Sequence, residues 1–140
     1  MKTILTLLSS VIFLASSSAI FAGTSVPSLV GTWDVKAEGA FMPHGGAPGK
    51  YTHWSKGQTT MTGVAEVLSQ NDRVIRGVFK MPGIAEPFSA VIGYDGNIHL
   101  VDEDGFADYR LVNKNRLEGV YRHVTPEDSV ICVSVWTRRK

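Results

Sequence analysis

Three histidines and two acidic turns are the residues of this chain most able to do chemistry. His44 and His53 lie in a glycine-rich stretch, and His123 ends a run of β-forming residues. Asp102, Glu103 and Asp104 share one turn, and Glu127 and Asp128 share another. Imidazoles beside carboxylates can ligate a metal. The spacing argues against one here. Asp102-Glu-Asp-Gly105 is too short for a calcium loop with its distal glutamate, and no two histidines have ligand spacing on one strand. Turns favour Asp and Gly for conformational reasons, so the acids read as a solvated rim. No metal or other cofactor is expected.

Tyr94, Tyr109 and Tyr121 place hydroxyls in otherwise apolar runs. An apolar wall with a few polar groups suits a small amphipathic ligand. It equally suits hydroxyls that satisfy one another or the backbone. Cys132, inside Val130-Ile-Cys-Val-Ser-Val135, reads as a small buried hydrophobe. No Gly-x-Ser-x-Gly, phosphate loop or His-Glu-x-x-His motif occurs, so no catalytic residue is assigned.

The elements that must position these groups are strands. Helical periodicity is missing. Eight runs rich in β-branched and aromatic residues can be counted: Leu29–Glu38, Gln58–Leu68, Val74–Met81, Pro87–Tyr94, Asn97–Val101, Phe106–Val112, Arg116–Val124 and Ser129–Arg138. Between most of them stand short Gly, Pro, Asn and Asp clusters such as Asp95-Gly96 and Asn113-Lys-Asn115, suited to antiparallel hairpins. Ile75, Gly77 and Phe79 alternate with Arg76, Val78 and Lys80, and Leu117, Gly119, Tyr121 and His123 alternate with Arg116, Glu118, Val120 and Arg122. One face is apolar and the other charged. Eight meandering strands leave two exposed edges unless the sheet closes, so the expected fold is an all-β, eight-stranded antiparallel up-and-down barrel. An open sandwich or a smaller barrel is the alternative.

Residues 1–22 are expected to lie outside that fold. Lys2, the apolar Ile4–Leu14 and the small residues up to Ala22 have the layout of a secretory signal cut after Ala22. The apolar stretch is short for a membrane span. Residues 23–140 then form one domain in a secreted or periplasmic protein. Outside the signal the charges balance at 13 basic and 13 acidic, so neither nucleic acid nor an anionic membrane is expected as a partner. With a single cysteine no intrachain disulfide can form, and the core alone must hold the fold.

Gly31-Thr-Trp33 on the first strand and Trp136-Thr-Arg138 on the last, with the strand count between them, resemble the calycin superfamily of lipocalins, fatty-acid-binding proteins and avidins. The resemblance implies that Trp33 packs at the closed base with Arg138, rather than Arg139, across its ring. Asp34-Val-Lys-Ala37 lacks the polar set that grips biotin in avidins, no tryptophan occupies the last inter-strand loop, and no helix follows Arg139 as in lipocalins. Biotin and retinoid binding are not carried over.

In a meander, alternate connections share an end. The tight turns at 70–72, 95–96 and 113–115 would gather at the base with Trp33. The longer connections at 39–57, 82–86, 102–105 and 125–128 would gather at the other end, where a barrel places function. The first of these reads as a mobile lid with an aromatic underside. The expected function is binding of a small lipophilic or amphipathic molecule in the mouth beneath it, through His53, Trp54, Tyr94, Tyr109, Tyr121 and His123. Two alternatives are a cyclase- or isomerase-type barrel enzyme using His123, Tyr121 and Glu66, and an interaction or inhibitor module presenting Phe41, Tyr51 and Trp54. A homo-oligomer is compatible with all three. If Trp33 closes the base, Trp33→Ala leaves a cavity costing about 3–5 kcal/mol out of a total near 5–15 kcal/mol. Thermal melts should show that variant badly destabilised and Trp54→Ala nearly unchanged.

Overall fold

The computed structural model describes residues 26–44, 58–126 and 128–140. Eight strands form in chain order: β1 (Gly31–Pro43), β2 (Thr60–Asn71), β3 (Val74–Met81), β4 (Ile84–Ile92), β5 (Ile98–Val101), β6 (Gly105–Asn113), β7 (Arg116–Val124) and β8 (Asp128–Arg138). Each pairs antiparallel with the next, and β8 returns to β1, so the sheet is a closed barrel without a free edge. No helix occurs among the described residues.

Two-residue alternation sets the inside. On β4, Glu86, Phe88, Ala90 and Ile92 are buried while the residues between them are exposed. On β8, Val130, Cys132, Ser134 and Trp136 point inward. The interior is filled mainly by Trp33, Trp136, Phe88 and Tyr109. Trp136 meets Phe88 edge-on at 5.7 Å and Tyr109 at 5.1 Å. Glycine stands opposite two of these rings, Gly77 in register with Phe88 and Gly119 with Tyr109. That pairing makes room for large side chains in a narrow barrel.

Three of the departures of the strand limits from the sequence expectation have a visible cause. The first strand begins at Gly31, not Leu29. Gly31 has φ +131°, a conformation that other residues rarely adopt. The chain before it folds across the base, where Leu29 is buried. At its other end β1 runs on to Pro43, in register with β8 from Cys132 to Asp128. The long apolar β8 would otherwise present unpaired backbone groups. The first loop therefore starts at His44, not Gly39. The third difference is the start of β4. Pro82-Gly83 is a two-residue hairpin turn, and Ile84, Ala85 and Glu86 already belong to the strand.

The base is closed by one stack. Trp33 is 0% exposed, and the Arg138 guanidinium lies 4.2 Å from its ring centroid. The same guanidinium donates to the carbonyls of Val30 (2.7 Å), Ser28 (2.9 Å) and Lys114 (3.1 Å). Trp33 Nε1 donates to the Leu29 carbonyl at 2.9 Å. Gln70 holds the same segment, accepting from Leu29 N at 2.8 Å and donating to the Pro27 carbonyl at 2.9 Å. Arg139 lies outside and pairs with Asp34 at 2.6 Å.

Arg138→Lys keeps the charge but loses the planar fork that serves three carbonyls and the indole at once. Urea denaturation should show a loss of roughly 1–2 kcal/mol, the scale of the stacking and one or two hydrogen bonds. Arg139→Lys should unfold with the wild-type midpoint.

Candidate functional site

Opposite the base, three short connections bring ionisable side chains over the barrel opening. Glu86 comes from the inner face of β4, Asp102 and Asp104 from the β5–β6 turn, Tyr121 and His123 from the inner face of β7, and Asp128 from the start of β8. Oxygens of Glu86, Asp102 and Asp104 all lie within 4.8 Å of one another. The Tyr121 hydroxyl is 2.9 Å from Asp104 Oδ1 and 3.3 Å from Asp102 Oδ1, so its one proton can serve either carboxylate. The backbone N–H of Gly105 donates to Asp102 Oδ1 at 2.7 Å. A Cβ at position 105 would collide with the Tyr121 hydroxyl, so glycine is what lets that ring lie across the turn.

His123 is 1% exposed. Its Nε2 is 2.7 Å from Asp128 Oδ1, itself buried. Its Nδ1 is 3.7 Å from Asp104 Oδ1 and has no hydrogen-bond partner. The Asp128 backbone is held by Thr125, whose Oγ1 accepts from Asp128 N at 3.1 Å.

Crowding of acids in a half-dry mouth shifts their protonation. Burial, then repulsion from Asp102, Asp104 and Glu103, raises Glu86 to about 7. Burial raises Asp102 as well, opposed by the Gly105 N–H. Burial and the neighbouring carboxylates push the Tyr121 phenol upward, so it acts as a donor. Burial raises Cys132 to about 11, which leaves a thiol with little thiolate character.

Beneath the acids lies a cup lined by Val35, Ala37, Met61, Phe79, Phe88 and Trp136, among others, with a volume of about 50 Å³. A water molecule's share of liquid volume is about 30 Å³. The cup is well below the roughly 300–1,000 Å³ of sites for drug-sized molecules.

Tyr121 and His123 meet at the mouth. Tyr109 lies deeper, accepting from Trp136 Nε1 at 3.1 Å, and burial raises its phenol to about 12. Tyr94 corrects the sequence reading. It is 97% exposed at the closed end, with Arg73 4.8 Å over its ring. Ile92 is the last inward residue of β4, and Gly93 begins the turn that carries Tyr94 outward. His53, Trp54 and Tyr51 lie outside the described residues. His44 sits on the rim, its Nδ1 donating to the Thr125 carbonyl (3.1 Å) and its Nε2 accepting from Ser129 Oγ (2.8 Å). Phe41 packs against Ala37, Val130 and Cys132 on the barrel wall and is no free anchor. Glu66 is on the outer surface, paired with Lys80 at 2.7 Å.

Sequence reasoning missed Glu86. Pro87 reads as a strand start, which leaves Glu86 in the turn. Alternation counted back from Phe88 through Pro87 would have put it inside. The pairing of His123 with Asp128 was hidden for a different reason, since register across a hairpin decides it.

A closed antiparallel barrel with one sealed and one acidic end is the class that fold and site define. No protein-family profile matches the chain, and no curated protein sequence matches it either. Among solved structures it is similar to a redesigned beta barrel, at TM-score 0.49 and 9% identity, covering 80% of this chain and 92% of that one. It is also similar to an S-type phycobiliprotein lyase from Guillardia theta, at TM-score 0.36 and 9% identity, covering 80% and 89%. No activity is taken from either.

The Glu86 shift has a pH consequence. The folded state holds this proton up to about 7, whereas an unfolded glutamate releases it near 4.3. Between those values the folded form binds more protons, so stability falls as pH rises through that window. Solvent at the mouth reduces the effect to roughly 1–2 kcal/mol. Chemical denaturation of Glu86→Gln from pH 4 to pH 8 should lose this decline. A decline identical to wild type would place the responsible proton elsewhere.

Proposed function

We propose that the protein is a small-ligand-binding barrel of the calycin type that holds its ligand in the open mouth. The observation that supports this best is the asymmetry of the ends. One end is sealed by Trp33, Arg138 and the strap of residues 26–30. The other gathers Glu86, Asp102, Asp104, Tyr121 and His123 around an apolar cup. Binding sites are concave and apolar, with a few convergent polar groups.

The volume restricts the ligand. Sites for drug-sized molecules run to about 300–1,000 Å³, against about 50 Å³ here. A long lipid along the barrel axis would have to displace Trp136, Phe88 and Tyr109. An amphipathic ligand that inserts a small apolar group and offers hydrogen-bond donors or positive charge to the carboxylates fits better. Export, with cleavage after Ala22, belongs to the same reading.

The Glu86 carboxyl held near 7 and the His123–Asp128 pair favour one further reading, a barrel enzyme that moves a proton. In that case Glu86→Gln abolishes turnover while leaving ligand affinity within a few-fold.

Native mass spectrometry of protein purified from its own host tests the binding reading. A small organic adduct should accompany the wild type and be absent from Met61→Trp, which fills the cup. A wild type without adduct, whose melting temperature ignores a panel of small amphipathic amines and amides, would sink it. The same spectra report the mature mass, and a chain retaining residues 1–22 would remove export.

A further inference from the structure

We propose that the acidic corner of the mouth binds one first-row divalent metal ion through Glu86, Asp102 and Asp104, with His123 Nδ1 as a nitrogen ligand. An acidic cluster alone would not carry this, because carboxylates often crowd turns. The imidazole is the independent observation. It is buried, and one of its two nitrogens has no hydrogen-bond partner. A bare polar atom in the interior is costly, and most such atoms are satisfied.

The other nitrogen fixes which atom is bare. Nε2 faces a carboxylate oxygen of Asp128 at 2.7 Å. An ionised carboxylate only accepts, so Nε2 donates to Asp128, and in the neutral ring the lone pair is then on Nδ1, the nitrogen that faces Asp104. An imidazole anchored by a carboxylate on one nitrogen and open on the other is how proteins orient metal-binding histidines.

The Nδ1–Asp104 distance agrees, while His123 stands outside the mutual 4.8 Å spread of the three acids and would join the ion from the Asp104 side. Nδ1 and Asp104 Oδ1 are 3.7 Å apart, too far for a hydrogen bond. Two ligands each about 2.0–2.2 Å from a tetrahedral ion lie roughly 3.3–3.6 Å from one another. The three carboxylates converge within 4.8 Å, close enough to share an ion after small side-chain rotations. Tyr121, whose one proton serves Asp104 or Asp102, and the Gly105 N–H on Asp102 hold the ligand carboxylates in place.

The donor set selects the class of ion. Oxygen ligands with one imidazole suit Mn²⁺, Fe²⁺ or Zn²⁺. The soft-ion alternative needs sulfur, and no cysteine contact to these carboxylates is present among the described residues, whereas His123 Nδ1 lies 3.7 Å from Asp104 Oδ1. The site shares the mouth with the ligand reading above but does not depend on it, since an ion can bind with no organic molecule present.

The test uses full-length, signal-processed protein stripped with a chelator, titrated with Zn²⁺ by calorimetry and followed by long-range ¹H–¹⁵N spectra of the histidine rings. One Zn²⁺ per chain should bind at micromolar or tighter affinity, and the His123 Nδ1 resonance should move to the metal-bound position. Asp104→Asn and Glu86→Gln should each weaken binding at least tenfold. His123→Gln should do the same. If that variant fails to fold because Asp128 loses its partner, Asp104→Asn, at a partly exposed position, decides in its place. A double variant, His44→Gln with His99→Gln, removes the other described histidines and should leave stoichiometry and affinity unchanged. Absence of saturable binding, an unmoved Nδ1 signal in the zinc-loaded protein, or wild-type affinity in Asp104→Asn would overturn the site. So would binding of butylammonium at the mouth with no zinc binding. An organic adduct without zinc, or zinc without an organic adduct, separates the failure of this site from failure of the ligand reading.

Discussion

The stack of Arg138 on Trp33 is the contact on which the rest of the barrel depends. A closed sheet is a tube, and a tube needs a floor before it can have a core. Here the floor is an indole with no exposed surface, capped by a guanidinium. The guanidinium's remaining donors tie down the segment that precedes β1 and the turn between β6 and β7. Because Trp33 and Arg138 are register partners across β1 and β8, the stack also marks where the barrel closes. Closing that seam is the step with the largest sequence separation, and its loop-closure cost falls on these contacts. The single cysteine means that no intrachain disulfide shares the load.

Sealing one end hands function to the other. The interior above Trp33 is occupied by Trp136, Phe88 and Tyr109, each packed against another ring. What remains open is a cup of about 50 Å³. The chemistry of the protein is therefore concentrated at the rim of a nearly solid barrel, and polar groups there decide what it can hold. The inward positions of Glu86 on β4 and His123 on β7 follow from the same alternation that buries Phe88 and Leu117. The strand pattern thus delivers charge to the mouth by the rule that delivers hydrophobes to the core.

Alternation and turn chemistry made the strands and their meander legible. The floor was legible by another route, the resemblance of Gly31-Thr-Trp33 and Trp136-Thr-Arg138 to calycin motifs, which implied Trp33 at the base with Arg138 across its ring. The site was less so. Tyr121 and His123 could be placed on an inner face, but their partners come from two other elements, the β5–β6 turn and the start of β8. Asp104 lies in a turn and Asp128 opens β8 beside one, in stretches where a sequence assigns acids to solvent. Only the three-dimensional closure turns Asp104 toward Tyr121 and Asp128 toward His123. Tyr94 failed in the opposite sense, because counting aromatics in a run ignored Gly93, where the strand has ended. Glu86 was obscured by Pro87, a residue that usually marks a strand's edge and here lies within one.

Natural sequences agree with their folds at nearly every level, and local violations cluster where function is. Most of this chain obeys: apolar inside, charged outside, small opposite large. The mouth violates the pattern three times. Carboxylates crowd one another, an acid faces inward on β4, and a buried imidazole carries a bare nitrogen. Each feature opposes folding. Burial, and then repulsion from the neighbouring acids, raises the Glu86 pKa, and an unsatisfied ring nitrogen forfeits a hydrogen bond that water would have supplied. Neutral or smaller side chains at these positions would fit the barrel at less cost. All three violations point into the same space and are relieved by the same remedy, a positive charge placed among them. A rim shaped only by tolerance would scatter its defects around the barrel. Here they share a corner, and that concentration supports the proposal that the mouth is a preorganised site.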